Sequence, residues 1–191
     1  MKHLYMMRHG ETLFNKKKLI QGWCDSPLTE DGVKQAERAR ELLKEIDFDH
    51  YYSSTSERCC DTLEIVAPNA NYVRLKGLKE RNFGDFEGES EFLNPKQGME
   101  ITYETLFPYY HGEKGSEATE RVVSTIHEIM DKEDHENVLA VSHGGACFFF
   151  LCSVCDPMNI LKNNYVSNCS IFHYTYDNGK YEFIEVLTPK I

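Results

Sequence analysis

Strands that alternate with amphipathic helices predict an α/β fold, a three-layer sandwich with a mainly parallel central sheet flanked by helices. Three observations carry this expectation. The short apolar runs at 3–7 and 138–141 are each followed within a few residues by glycine and read as buried strands. Val33, Ala36, Ala39, Leu43 and Ile46 recur at spacings of three and four, which is one apolar face of a helix over about 31–45. Near the end of the chain, 170–176 and 181–186 flank Asp177-Asn178-Gly179, a closing β-hairpin that adds antiparallel character.

The remaining elements follow in order. Pro27 and Thr29 ahead of Glu30 and Asp31 are helix-start chemistry. Residues 49–53 form a second short strand. Ser56 is placed to cap a helix through Thr62 and Val66 that Pro68 ends. A third strand falls at 72–75. Val122, Val123, Ile126, Ile129 and Met130 mark a long helix that begins near Glu117, and 148–154 is a buried helix after Gly144 and Gly145. The segment of about 89–115 breaks the pattern with Pro95, Gly98, Pro108 and Gly112 and reads as a short lid insertion in a single domain of 1–191.

Length and charge narrow the function classes. A chain of 191 residues can bury a core without staples. Its 31 acids against 21 bases leave a net charge of −10, which disfavours nucleic acid and anionic membrane as partners. A small anionic substrate stays open if a few bases converge. Seven cysteines do not make a secreted disulfide framework, the opening residues do not resemble a signal peptide, and the most apolar stretch contains Ser142 and His143, so a cytoplasmic protein is expected. Cys152 and Cys155, with His143 and Cys147 near, admit a metal site, but the surrounding phenylalanines favour buried thiols. Arg58 beside Cys59 is placed to lower a thiol pKa.

In open α/β sheets, ligands sit beyond the carboxyl ends of the strands. Three marked segments fall there: Arg8-His9-Gly10-Glu11-Thr12, Ser53-Ser54-Thr55-Ser56-Glu57-Arg58 and Ser142-His143-Gly144-Gly145. Two histidines and two arginines at one sheet edge suit phosphoryl transfer. Guanidinium forks match phosphate oxygens, and a neutral imidazole can attack phosphorus. A backbone oxygen on the other ring nitrogen would fix the tautomer, Gly10 would let the backbone approach, and a second imidazole could donate to the phosphate. Neither metal nor cofactor is then required.

These residues also carry a family likeness. Arg8-His9-Gly10-Glu11-Thr12 with Asn15 and Gln21-Gly22-Trp23 resembles the opening of the histidine phosphatase superfamily, also called phosphoglycerate mutase-like. Asp25-Ser26-Pro27-Leu28-Thr29 running into Gly32 resembles it too. Tyr52-Ser53-Ser54 to Arg58 and Thr62 is similar to that family's second motif. Leu78-Lys79-Glu80 with Phe83-Gly84 and Glu87-Gly88 is similar to the third, and Ser142-His143-Gly144-Gly145 to the fourth. The resemblance implies that His9 is the phosphorylated nucleophile. It implies that Arg8, Arg58 and His143 hold phosphoryl oxygens, and that Glu80 is the acid that protonates the leaving oxygen and then the base for water. Asn15, Gln21 and the Gly22 and Gly144 amides would add substrate contacts. Chemistry alone does not separate Glu80 from Glu87 or Asp85, and Asn15 and Gln21 serve equally well to tie down a loop.

The expected activity is metal-independent hydrolysis of small phosphate monoesters. A cofactor-dependent phosphoglycerate mutase is the first alternative and a non-catalytic phosphate-binding module the second. Family mutases resemble one another in a longer insertion with paired arginines and a lysine soon after the acid. Here Arg81, Lys96 and Lys114 are nearly all the bases available. Phe92, Tyr103, Phe107, Tyr109, Tyr110 and Trp23 either stack on a substrate or pack the lid, and His111 could line it.

Overall fold

The computed structural model describes residues 1–96 and 102–189; the lid positions 97–101, Gly98 among them, lie outside the described residues. The elements run β1 (Lys2–Arg8), α1 (Leu13–Lys17), α2 (Glu30–Leu43), β2 (His50–Ser54), α3 (Glu57–Val66), β3 (Tyr72–Leu75), α4 (Tyr103–Tyr109), α5 (Gly115–Met130), β4 (Asn137–Ser142), α6 (Gly144–Val154), α7 (Pro157–Asn163), β5 (Ile171–Asp177) and β6 (Lys180–Leu187). Six strands form one sheet in the order β3-β2-β4-β1-β5-β6. The first four strands are mutually parallel, and β5 runs antiparallel to both β1 and β6.

Alternation along the central strands divides the core in two. Leu4 and Met6 face the layer of α5 and α6, where Ile126, Ile129, Ala146 and Phe150 meet Val138 and Ala140. Tyr5 and Met7 face the layer of α2 and α3, where Ala36, Ala39 and Leu63 meet Leu139 and Val141. A strand covered on both faces must be apolar throughout, which is why 3–7 and 138–141 read as unbroken runs.

Helix starts are set locally. Thr29 accepts from the Gly32 amide at 3.0 Å and caps α2. Ser56 takes the cap position of α3, but its hydroxyl makes no capping bond. Three short helices went unread in the sequence. Of these, α1 and α4 are five and seven residues long and carry capping boxes on Thr12 and Thr102, too little length for a periodic signal. The third, α7, begins at Pro157 behind an Asp156 cap.

The described part of the lid packs its aromatic residues on the segment just before it. Phe107 on α4 is fully buried and meets Phe83 and Phe86 edge to face at 4.8 and 5.6 Å. Its first residues are tied to the loop after α1 by Ile20–Glu89 and Glu91–Lys18 backbone bonds. Among the described residues no helix is long and apolar enough to cross a membrane.

Candidate active site

Arg8 pairs with Ser142 in the β1–β4 register, so His9 and His143 are the first residues past a shared sheet edge. Their rings lie 5.4 Å apart, edge to face. His9 is 4% exposed, and its Nδ1 stands 2.8 Å from the Gly10 carbonyl oxygen. A carbonyl only accepts, so Nδ1 carries the proton and Nε2 keeps its lone pair. Burial, then the charges of Arg58 and Arg8, push the His9 pKa well below the ordinary histidine value, and the bond to Gly10 does not offset them. The result is a neutral imidazole whose Nε2 has no hydrogen-bond partner among the described residues. The Gly10 backbone approaches His9 as its sequence position suggested, and the missing side chain serves a second purpose. A Cβ there would come within 2.6 Å of the Gly32 carbonyl oxygen, so the bare backbone serves packing on the first turn of α2.

Arg58 is fully buried at the start of α3. One terminal nitrogen donates to the Cys24 carbonyl and to Asp25, both at 2.9 Å; the other donates to the Gly22 carbonyl and to His143 Nδ1, both at 2.8 Å. A guanidinium has no acceptor, so His143 Nδ1 must accept, and its Nε2–H donates to Ser54 Oγ at 2.8 Å. Burial and the Arg58 charge hold His143 neutral. The His143 Nε2–H expected to meet a phosphoryl oxygen is therefore donated to Ser54 Oγ in this structure. Two other donors are buried with no hydrogen-bond partner among the described residues, Nε of Arg8 and Nε of Arg58. Buried orphan donors are uncommon, and an anion is a group that fits two cationic N–H donors near one neutral imidazole.

Glu80 is 7% exposed. One carboxylate oxygen accepts from the Arg81 amide at 2.9 Å and the other from the Gly145 amide at 2.8 Å. Burial raises its pKa, against the pull of those amides and of Arg58 and Arg8. It therefore keeps its proton to higher pH than an ordinary glutamate, as a general acid must. Arg121 on α5, which sequence reading missed, fixes the backbone that carries it. Its guanidinium donates to the carbonyls of Gly77, Lys79 and Glu80 and pairs with Glu113. Its only sequence signal is a charge on the polar side of an amphipathic helix, where arginines are ordinary.

Glu87 does a different job from Glu80. Its carboxylate accepts from the amides of Gly22, Trp23, Cys24 and Phe83 at 2.8–3.0 Å. Burial alone would raise its pKa, but those bonds and one from the Cys24 thiol outweigh it and lower the value. The loop so gripped is the one whose Gly22 and Cys24 carbonyls hold Arg58. The Gly22 amide, expected on substrate, is thus occupied by Glu87. Asn15 Oδ1 accepts from Thr12 and Asn168, and Gln21 bonds Thr12 and Ser26, so both tie down the loop in this state. Gly144 opens α6 beside the Arg8 guanidinium, where a first-turn amide lacks an intrahelical acceptor. Asp85 pairs with His111 on the surface, away from these groups.

The sequence profile of the histidine phosphatase superfamily (branch 1) matches residues 4–187. The chain belongs to that superfamily. It is 30% identical over 190 residues to "Probable phosphoglycerate mutase GpmB" of Proteus mirabilis, covering 94% of this chain and 87% of that protein. The crystal structure of phosphoglycerate mutase from Bacillus anthracis superposes with a TM-score of 0.83 at 28% identity, covering 96% of this chain and 92% of that one. Alpha-ribazole phosphatase from Shigella flexneri superposes at 0.81 and 23% identity, over 98% and 96% of the two chains, a likeness of fold.

Around this histidine phosphatase site several side chains sit elsewhere than expected. Of the lid aromatics, Phe107 is core, Phe92 and Tyr109 are largely exposed, and Trp23 lies under Lys76 and Lys79 while donating to the Glu80 carbonyl. His111 is on the surface rather than along a cavity. Cys59 is buried, and burial raises its pKa well above the usual thiol value despite Arg58. Cys152 is exposed, and Cys155, just past the end of α6, is half-buried against the core, so they are not the buried pair expected. Among the described residues the side chains that group three metal-ligand atoms are His50, Asp134 and His135. The two imidazoles stack face to face at 3.6 Å, which sets their in-plane lone pairs side by side rather than on a common point.

Proposed function

We propose that this chain is a phosphatase that hydrolyses small phosphate monoesters through a phosphohistidine on His9, without a metal ion. The observation that carries the reading is His9 itself: a buried, neutral imidazole with Nδ1–H tied to Gly10, near the buried Nε donors of Arg8 and Arg58, which have no hydrogen-bond partner among the described residues. Nε2 attacks phosphorus while Arg8 and Arg58 neutralise the equatorial oxygens. The bond from phosphorus to the ester oxygen breaks, and protonated Glu80 gives its proton to that oxygen, releasing an alcohol. Water then attacks phosphorus, Glu80 takes back a proton, and the phosphorus–nitrogen bond breaks to return neutral His9. His143 holds Arg58 through Nδ1, and its Nε2–H, directed at Ser54 Oγ here, is available to a phosphoryl oxygen if that bond exchanges.

The test is inorganic phosphate release from a panel of esters with EDTA present, wild type beside His9→Ala. Release that disappears in the variant supports the reading; a variant that retains a tenth of the rate refutes His9 as nucleophile. A mutase is the second reading, favoured by the relatives named as mutases at 28–30% identity. Against it, Arg81, the arginine that follows Glu80, already donates to the Glu113 carbonyl and pairs with Glu104. Interconversion of phosphoglycerates primed with 2,3-bisphosphoglycerate, without net phosphate release, would establish the mutase instead.

A further inference from the structure

We propose that the alcohol part of the substrate carries an aromatic or similarly flat apolar group, which seats between α4 and α6 beside Glu80. The inference rests on the hydrolase reading above. A cavity of about 430 Å³ opens directly from the acid, with Glu80 and Gly145 at one end and Phe83, Tyr103, Phe148 and Phe149 along its walls. A group attached to the oxygen that Glu80 protonates has this space to enter.

The walls owe their character to a conflict within α6. Phe148, Phe149 and Phe150 are consecutive, and a helix turns about 100° per residue, so the three cannot share one face. Phe150 takes the core position and is fully buried. Phe148 is left 40% exposed, facing Tyr103, itself 42% exposed, across the cavity. Two large rings held open to solvent next to a catalytic carboxyl are a binding surface rather than packing. Phe148 also borders a smaller, mostly apolar cavity of about 240 Å³, lined by Arg8, Gly144, Leu151, Leu161, Val166 and Phe172.

Charge and size favour the same class. The charged pair at the wall, Arg81 and Glu104, is joined at 3.4 Å, and the Arg81 guanidinium lies 5.8 Å from the Tyr103 ring. A carboxylate on the substrate would meet the negative charge of Glu104 there, which offsets Arg81. As to size, a cavity of about 150 Å³ already holds benzene, so the space here takes one ring or two fused rings with its linker.

The test compares wild-type kcat/KM for 3-phenylpropyl phosphate and propyl phosphate, with EDTA present. Both release a primary alkoxide of similar basicity, so the ratio reports seating of the ring and not leaving-group chemistry. The phenyl ester is expected to be favoured about tenfold or more, in the range that one apolar subsite contributes to specificity. Phe148→Ala and Tyr103→Ala should each reduce that ratio at least about threefold, and Phe148→Leu should restore part of it. A measurement that needs no variant is competition against p-nitrophenyl phosphate: 3-phenylpropanol should inhibit wild type where propanol does not. A wild-type ratio within about twofold of one, or a ratio that neither alanine variant changes, overturns the pocket while leaving the hydrolase intact. If neither alkyl ester nor p-nitrophenyl phosphate is hydrolysed, the hydrolase reading fails, and the assignment of this pocket falls with it.

Discussion

Replacing Gly145 by alanine should separate stability from catalysis. Gly145 lies in the first turn of α6, and its amide holds one oxygen of Glu80 at 2.8 Å. A Cβ built there falls 2.3 Å from the other carboxylate oxygen and 2.9 Å from the carboxyl carbon. Real Cβ contacts essentially never fall below 3.0 Å, so the carboxylate must retreat by about 0.7 Å or more. The side chain can swing, so the fold need not change, and alanine in a helix gains roughly 0.5–1 kcal/mol over glycine. The acid, however, leaves its position. A misplacement near 1 Å costs on the order of a hundredfold in rate, or about 2.7 kcal/mol of barrier. The assay is kcat on propyl phosphate and on p-nitrophenyl phosphate, beside a thermal melt. Propyl phosphate turnover should fall ten- to a hundredfold while the melting temperature holds or rises. The p-nitrophenyl ester, whose leaving group needs no proton, should lose much less. Propyl phosphate turnover within about twofold of wild type would refute the placement of Glu80 as acid. An equal loss on both esters would mean that the methyl disturbs the phosphoryl site instead.

Three further outcomes are expected. Because burial raises the Glu80 pKa and the His9 pKa is lowered, kcat on alkyl esters should be high on the acid side and fall as pH rises through the Glu80 value; an optimum above pH 8 would contradict this. Glu87→Gln should destabilise the protein by about 1–3 kcal/mol, since one carboxylate serves four amides and a carboxamide serves fewer. Glu87 has a lowered folded-state pKa, so its contribution is complete above the unfolded value near 4.3 and lost as pH falls through the folded one; the difference between wild type and Gln variant in denaturant melts should shrink there. Arg58→Lys should keep the charge but lose the fork that joins Gly22, Cys24, Asp25 and His143, with a loss in kcat of roughly a hundredfold or more; near wild-type turnover would remove Arg58 from the machinery.

The sequence by itself determined the α/β class, the long elements and the residues that meet at the sheet edge. Those rest on periodicities and capping that act within a few residues, and the motif order carried His9, Arg58 and His143 to one place. Only the tertiary structure decided what each group does there. Glu80 and Glu87 are seven positions apart and chemically identical, yet one meets Gly145 and is raised in pKa, while the other meets Gly22, Trp23 and Cys24 and is lowered. Asn15 and Gln21 were free to face substrate or loop until Thr12, Ser26 and Asn168 claimed them. Phe148 and Phe149 read as core because they adjoin Phe150, and became cavity walls because a helix gives consecutive residues different faces. Proton affinity and exposure depend on partners some sixty residues away, and no local pattern encodes which of two like side chains will reach them.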